Sequence, residues 1–116
     1  MTSKEFSQLI ENISSKISKI QQNFDDYQKE FFPERSPQFF CLELNGEAGE
    51  LANLEKKKWK GREVSDDKIA DEAADVFIAI MNYANSRGIN LERAILNKLK
   101  IIETIRQERA DQGLKY

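Results

Sequence analysis

Apolar residues return along the N-terminal stretch at alternating steps of four and three: Phe6, Ile10, Ile13, Ile17, Ile20, Phe24, Tyr27 and Phe31, with Leu9 beside them. That spacing keeps one helix face apolar and predicts a long first helix over 4–31 with a heptad-like seam. The seam suits packing against the rest of the chain, a surface shared between subunits, or both. Phe32-Pro-Glu-Arg-Ser-Pro37 breaks the pattern, because each proline disfavours helix in the residue before it. Ser36 is a natural N-cap with Pro37 at the first helical position, so a second helix is predicted over 37–58. The stretch from Lys60-Gly61 to Ser65 reads as a loop, and Ser65 or Asp66 caps a third helix over 66–86. That helix is apolar nearly all round from Ala73 to Ala84, which makes it the element expected to be most buried. Ser86-Arg-Gly88 is its stop signal, with glycine just past the end. Asn90 caps a fourth helix over 91–109 that carries Leu91, Ala94, Ile95, Leu99, Ile102 and Ile105, and the tail frays around Asp111-Gln-Gly113. No internal repeat or low-complexity segment interrupts this order.

Composition narrows the fold. A chain of 116 residues is expected to form a single domain over 1–116, and 33% charged against 40% apolar residues suits long amphipathic helices. Five glycines and two prolines leave few tight turns for a many-stranded fold, so an all-α four-helix bundle is the expectation. A net charge of -2 gives no basic footprint for a nucleic-acid polymer, while a small phosphorylated ligand remains compatible. Cys41 stands alone, cannot form an internal disulfide, and reads as a small buried hydrophobe. No signal-peptide core follows Met1-Thr-Ser-Lys-Glu and no run approaches membrane-spanning length, which points to a cytoplasmic protein without a membrane partner.

Two acidic pairs then stand out, Glu47-x-x-Glu50 and Glu72-x-x-Asp75, inside the second and third helices of a chain that contains no histidine. Residues at i and i+3 share a helix face. On a wheel of about 100° per residue, Glu43, Glu47 and Glu50 fall within roughly 60°, flanked by Phe40, Leu44, Leu51 and Leu54. Glu72 and Asp75 share a face with Val76, Ala79 and Tyr83, while Asp71 points to the side and reads as surface. Carboxylates that interrupt an apolar stripe repel one another and lose hydration, so something positive must compensate. Neutralisation by protein cations or by protons is one answer. No basic residue is interleaved within the helix segments that carry the acids, however, and the run from Lys56 begins more than a turn beyond Glu50. Without histidine, the Glu-x-x-His di-iron bundle, the histidine-ligated zinc centre and the Ser-His-Asp nucleophile all drop out. An all-oxygen cluster suits Mg²⁺, which leaves ligand positions for water and phosphate oxygens. Phosphoryl or nucleotidyl hydrolysis is the chemistry such a centre suggests, with Glu43 or Glu47 orienting or deprotonating the attacking water.

Leu44-Asn-Gly-Glu47-Ala-Gly-Glu50-Leu51, followed by Glu72-Ala-Ala-Asp75-Val76, resembles the ExxE and ExxD signature of the MazG-like, all-α nucleoside triphosphate pyrophosphohydrolases. The likeness continues through Arg87-Gly-Ile-Asn-Leu91-Glu-Arg-Ala94 and Lys98-Leu99, covering roughly residues 38 to 100. The resemblance implies a helical bundle that assembles as a homodimer or a dimer of dimers. It implies hydrolysis of (deoxy)nucleoside triphosphates to monophosphate and pyrophosphate with Mg²⁺, Mn²⁺ being an acceptable substitute, in a house-cleaning role for the nucleotide pool. Glu47, Glu50, Glu72 and Asp75 would be the metal ligands; Glu43 has no firm equivalent in every branch. The asparagine that many relatives carry four residues after the helix-four lysine is Ile102 here, which leaves the phosphate or sugar contacts of that end resting on Lys98. Related readings are an α-helical dUTPase, a phosphoribosyl-nucleotide pyrophosphohydrolase, or a non-catalytic helical interaction module whose acids are structural.

Further candidates surround the acids. Lys56, Lys57, Lys58, Lys60 and Arg62 are placed either to hold phosphates, with Lys57 and Lys60 foremost, or simply as a solvated helix end favoured by the macrodipole. Trp59 is read as a base-stacking ring or an edge-of-core anchor. Asn82, two turns beyond Asp75 on nearly the same face, is placed to hydrogen-bond a base, a sugar or another helix. Tyr83 is read as core.

Overall fold

The computed structural model describes residues 2–115, so Met1 and Tyr116, the ends of the expected domain, lie outside the described residues. It is all-α, with α1 (Lys4–Phe31), α2 (Pro37–Trp59), α3 (Asp66–Arg87) and α4 (Leu91–Asp111), and no strand among the described residues. No described helix is long and apolar enough to cross a membrane.

The helix ends follow from their capping residues. Ser36 Oγ accepts from the Phe39 N–H at 3.2 Å, with Pro37 opening α2, and Ser65 Oγ accepts from the Lys68 N–H at 3.2 Å. Asn90 Oδ1 accepts from the Arg93 N–H at 3.0 Å. Each bond satisfies one backbone donor that a first turn leaves unpaired. Ser3 does the same for α1, accepting from the Phe6 N–H. Gly88 closes α3 at φ 70, a left-handed conformation that costs glycine nothing.

The chain divides into two compact units, residues up to 22 with those from 89 onward, and residues 23–88. In the first unit, Ile13 is buried, Phe6, Ile10 and Ile17 are half-buried, and α4 contributes half-buried Leu91, Ile95, Leu99 and Ile102. Gln21 is its buried polar residue. Its Nε2 donates to the Ile89 carbonyl at 2.6 Å and its Oε1 accepts from the Leu91 N–H at 3.0 Å, which ties α1 to the start of α4. Further along α4, Arg106 hydrogen-bonds Glu103 and holds that carboxyl below its ordinary value.

In the second unit α2 and α3 run antiparallel: Glu50 meets Glu72, while Phe40, earlier on α2, lines a cleft with Asn82, later on α3. Phe40 and Leu54 of α2 and Ala79, Met81 and Ala84 of α3 form its core. Burial is thus heaviest on α3, as its all-round apolar stretch predicts, although Phe77 and Ile78 stay exposed on its outer side. The end of α1 joins through Phe24, whose ring lies 6.1 Å from that of Phe77. Tyr27 and Phe31, the last seam positions, are exposed and pack ring to ring. Cys41 is exposed, not buried. It stands about 180° around α2 from Glu50, on the face turned away from α3.

Candidate functional site

The acids of α2 and α3 converge in the middle of the antiparallel pair. One carboxylate oxygen from each of Glu47, Glu50 and Glu72 lies within 4.8 Å of the others, and the same holds for Asp71, Glu72 and Asp75. Glu72 belongs to both groups. Glu47, Glu72 and Asp75 are half-buried, whereas Glu50 and Asp71 are exposed. Asp71 is exposed, as its sequence reading has it, and it sits one turn before Asp75, the i, i+4 spacing that brings its carboxylate beside Glu72 and Asp75. Glu43 is exposed and joins neither group.

Burial and mutual repulsion set the electrostatics of the centre. Burial, followed by hydrogen bonding with Glu50 and Glu47 and by their charges, pushes the Glu72 carboxyl up to about 7. Burial also raises Glu47, reinforced by the Asp75 and Glu50 charges, while its hydrogen bond with Glu72 works the other way. Near neutrality the cluster therefore retains a share of a proton that an isolated glutamate would have lost. None of these acids forms an ion pair among the described residues. Whatever their other oxygens share, Glu47 Oε2 and Glu72 Oε2 are buried with no hydrogen-bond partner among the described residues. Leaving buried acceptors unsatisfied is costly. An all-oxygen set with two orphaned acceptors fits a hard divalent cation, and no sulfur or imidazole is present to favour a softer one.

A hollow opens at each end of the acidic centre. Where α2 begins and α3 ends, a cleft of about 830 Å³ is lined by residues including Phe32, Arg35, Phe40, Asn82 and Asn85. Asn82 is only 9% exposed, and its carboxamide makes no hydrogen bond among the described residues. Sequence reasoning reached Asn82 from its wheel position but not the cleft, which needs residues from three segments to close. Where α2 ends, a hollow of about 260 Å³ is lined by Asn53, Lys56, Lys57, Lys60 and Arg62. Lys58 is excluded from it and pairs with Asp66 at 3.2 Å.

The remaining candidates lie elsewhere. Trp59 is 86% exposed and lines neither hollow, so it is no edge-of-core anchor; like Cys41, it falls on the α2 face opposite Glu50. Tyr83 is half-buried, and Lys98 is exposed on α4 in the first unit. Compared with protein-family models, with curated proteins and with solved structures, the chain matches none.

Proposed function

We propose that this chain is a Mg²⁺-dependent pyrophosphohydrolase of (deoxy)nucleoside triphosphates. The observation that carries the reading is the pair of orphaned oxygens, Glu47 Oε2 and Glu72 Oε2, inside a convergence of acids that no cation among the described residues pairs with. The ExxE and ExxD motifs and their resemblance to the MazG-like enzymes support it independently. Glu47, Glu50, Glu72 and Asp75 would hold the metal with help from Asp71, and Glu72, common to both groups, would be the shared ligand. Bound there, Mg²⁺ supplies neutralisation of charge on the attacked and leaving phosphate oxygens.

The protein's own part is placement and proton handling. A carboxylate has two oxygens, so Glu47 can serve the ion with one and orient the attacking water with the other. Its raised proton affinity suits it to accept the water proton as the oxygen–phosphorus bond forms at the α phosphate. The bond from that phosphorus to the α–β bridging oxygen then breaks, and pyrophosphate leaves with its charge. Glu43, outside both groups, is the weaker candidate for this step. Asn82, whose carboxamide makes no hydrogen bond among the described residues, supports a nucleoside contact in a mostly polar cleft that also carries Phe32 and Phe40.

Pool housekeeping in the cytoplasm, with no nucleic-acid polymer as partner, is the role that suits this chemistry. Assembly as a homodimer or homotetramer is supported by the apolar side chains left exposed on the second unit, among them Tyr27, Phe31, Leu42 and Phe77. The test is pyrophosphate release across the common NTPs and dNTPs, dUTP and a phosphoribosyl nucleotide, with and without Mg²⁺. Metal-dependent release from one or more triphosphates is expected. Preference for dUTP or the phosphoribosyl nucleotide would move the chain to a related activity, and no release from any would leave a helical interaction module.

A further inference from the structure

The basic hollow at the end of α2 is a place where cations gather. Lys56, Lys57, Lys60 and Arg62 line one concavity with Asn53, and none of the four forms an ion pair among the described residues, while Lys58 in the same run is turned out to Asp66. A run of lysines that only complements the helix macrodipole has no need to converge. These converge.

Position along α2 gives the hollow its meaning. Lys57 lies seven residues beyond Glu50, two turns onward and within about 20° of the same face, roughly 10 Å along the axis. Phe40 of the larger cleft lies seven residues before Glu47, an equal distance the other way. The second unit thus presents, in order, a larger cleft that carries Phe32, Phe40 and the Asn82 amide among charged residues of both signs, a row of acids, and a cluster of cations alone. A nucleoside triphosphate has the same order: an aromatic base and a sugar, an α phosphate at which hydrolysis occurs, and an anionic end. Two phosphates on one side and a flexible lysine stem on the other close the remaining gap from Glu50.

Resting on the activity proposed above, we infer that the basic hollow receives the β and γ phosphates and is the docking place of the departing pyrophosphate. The substrate then runs with its nucleoside toward Phe40 and Asn82 and its terminal phosphate toward Lys57 and Lys60. A nucleic-acid strand is a poorer occupant, because the flanking acids repel a backbone that must continue past the hollow.

The test is calorimetric titration of inorganic pyrophosphate into the full chain in chelator, so that no metal carries the anion. Wild type should bind, more weakly as salt rises. A Lys57→Glu/Lys60→Glu variant should bind at least about tenfold more weakly. Lys57→Gln/Lys60→Gln serves as a milder second variant, with circular dichroism confirming that each is folded. Under turnover, pyrophosphate inhibition should weaken by the same factor, while inhibition by the nucleoside monophosphate product holds. Equal pyrophosphate affinity in wild type and variants, or none in wild type, overturns the inference. The two proposals fail separately. Turnover with lysine-insensitive pyrophosphate binding removes only the anion site, and lysine-dependent binding without turnover removes only the activity.

Discussion

Polar side chains enter the interior of both units, with opposite outcomes. In the first unit Gln21 is buried, and both ends of its carboxamide are used, one on the Ile89 carbonyl and one on the Leu91 N–H. In the second, Glu47 and Glu72 are half-buried, and each keeps a buried oxygen that nothing among the described residues satisfies. A folding sequence avoids orphaned acceptors unless some other demand maintains them. Gln21 therefore reads as structure, and the two glutamates are left to the function proposed above. Burial alone does not separate these roles; satisfaction of the hydrogen-bonding groups does.

The sharpest break in that contrast comes from neutral isosteres of the acids. Glu47→Gln and Asp75→Asn should each lower metal-dependent turnover by on the order of 10³-fold or more, since the interaction lost is with transition-state charge. The melting temperature should hold or rise, because a repelling charge is gone. Steady-state pyrophosphate release and a thermal melt check both at once.

Gln21 should behave in the reverse sense. Gln21→Leu strips partners from the Ile89 carbonyl and the Leu91 N–H, so denaturant unfolding should show a loss of about 1–3 kcal/mol. Metal affinity should not change. A Gln21 variant as stable as wild type would erase the structural half of the comparison.

A smaller effect follows from protons. The folded Glu72 carboxyl titrates at about 7 against an ordinary value of 4.5, so between those values the folded state binds more protons than the unfolded one. The stability contributed by its protonation is complete below 4.5 and is lost as pH rises through 7. In chelator the melting temperature should fall over that window, and Glu72→Gln should flatten the slope. A pH-independent wild-type melt would contradict the proposed proton sharing.

Much of the fold is legible in the sequence because its signals are local. Ser36-Pro37, Ser65, Asn90 and Gly88 act within one turn of themselves, and they set helix ends within a residue or two of expectation. The four principal acids are legible for the same reason, since i, i+3 spacing is a local fact. What the chain conceals is the contact that needs distant residues. Gln21 meets partners 68 and 70 positions away. The Asn82 cleft draws on the ends of α1 and α3 and the start of α2. Cys41 and Trp59 are different, because their wheel angles carried the answer. Eighteen residues apart and so five turns, they share the stripe opposite Glu50. Residue type favoured a buried thiol and an edge-of-core ring, and angle was the better guide.

The most direct test of the orphaned oxygens is calorimetric titration of Mg²⁺ near pH 7 in two buffers of different ionisation enthalpy, which counts the protons released. Saturable binding with proton release is expected, because an ion held by these acids would displace the proton that the raised Glu72 carboxyl retains near pH 7, and both should vanish in Glu47→Gln/Glu72→Gln. Heats identical in wild type and that variant, or binding with no proton release, would contradict the account.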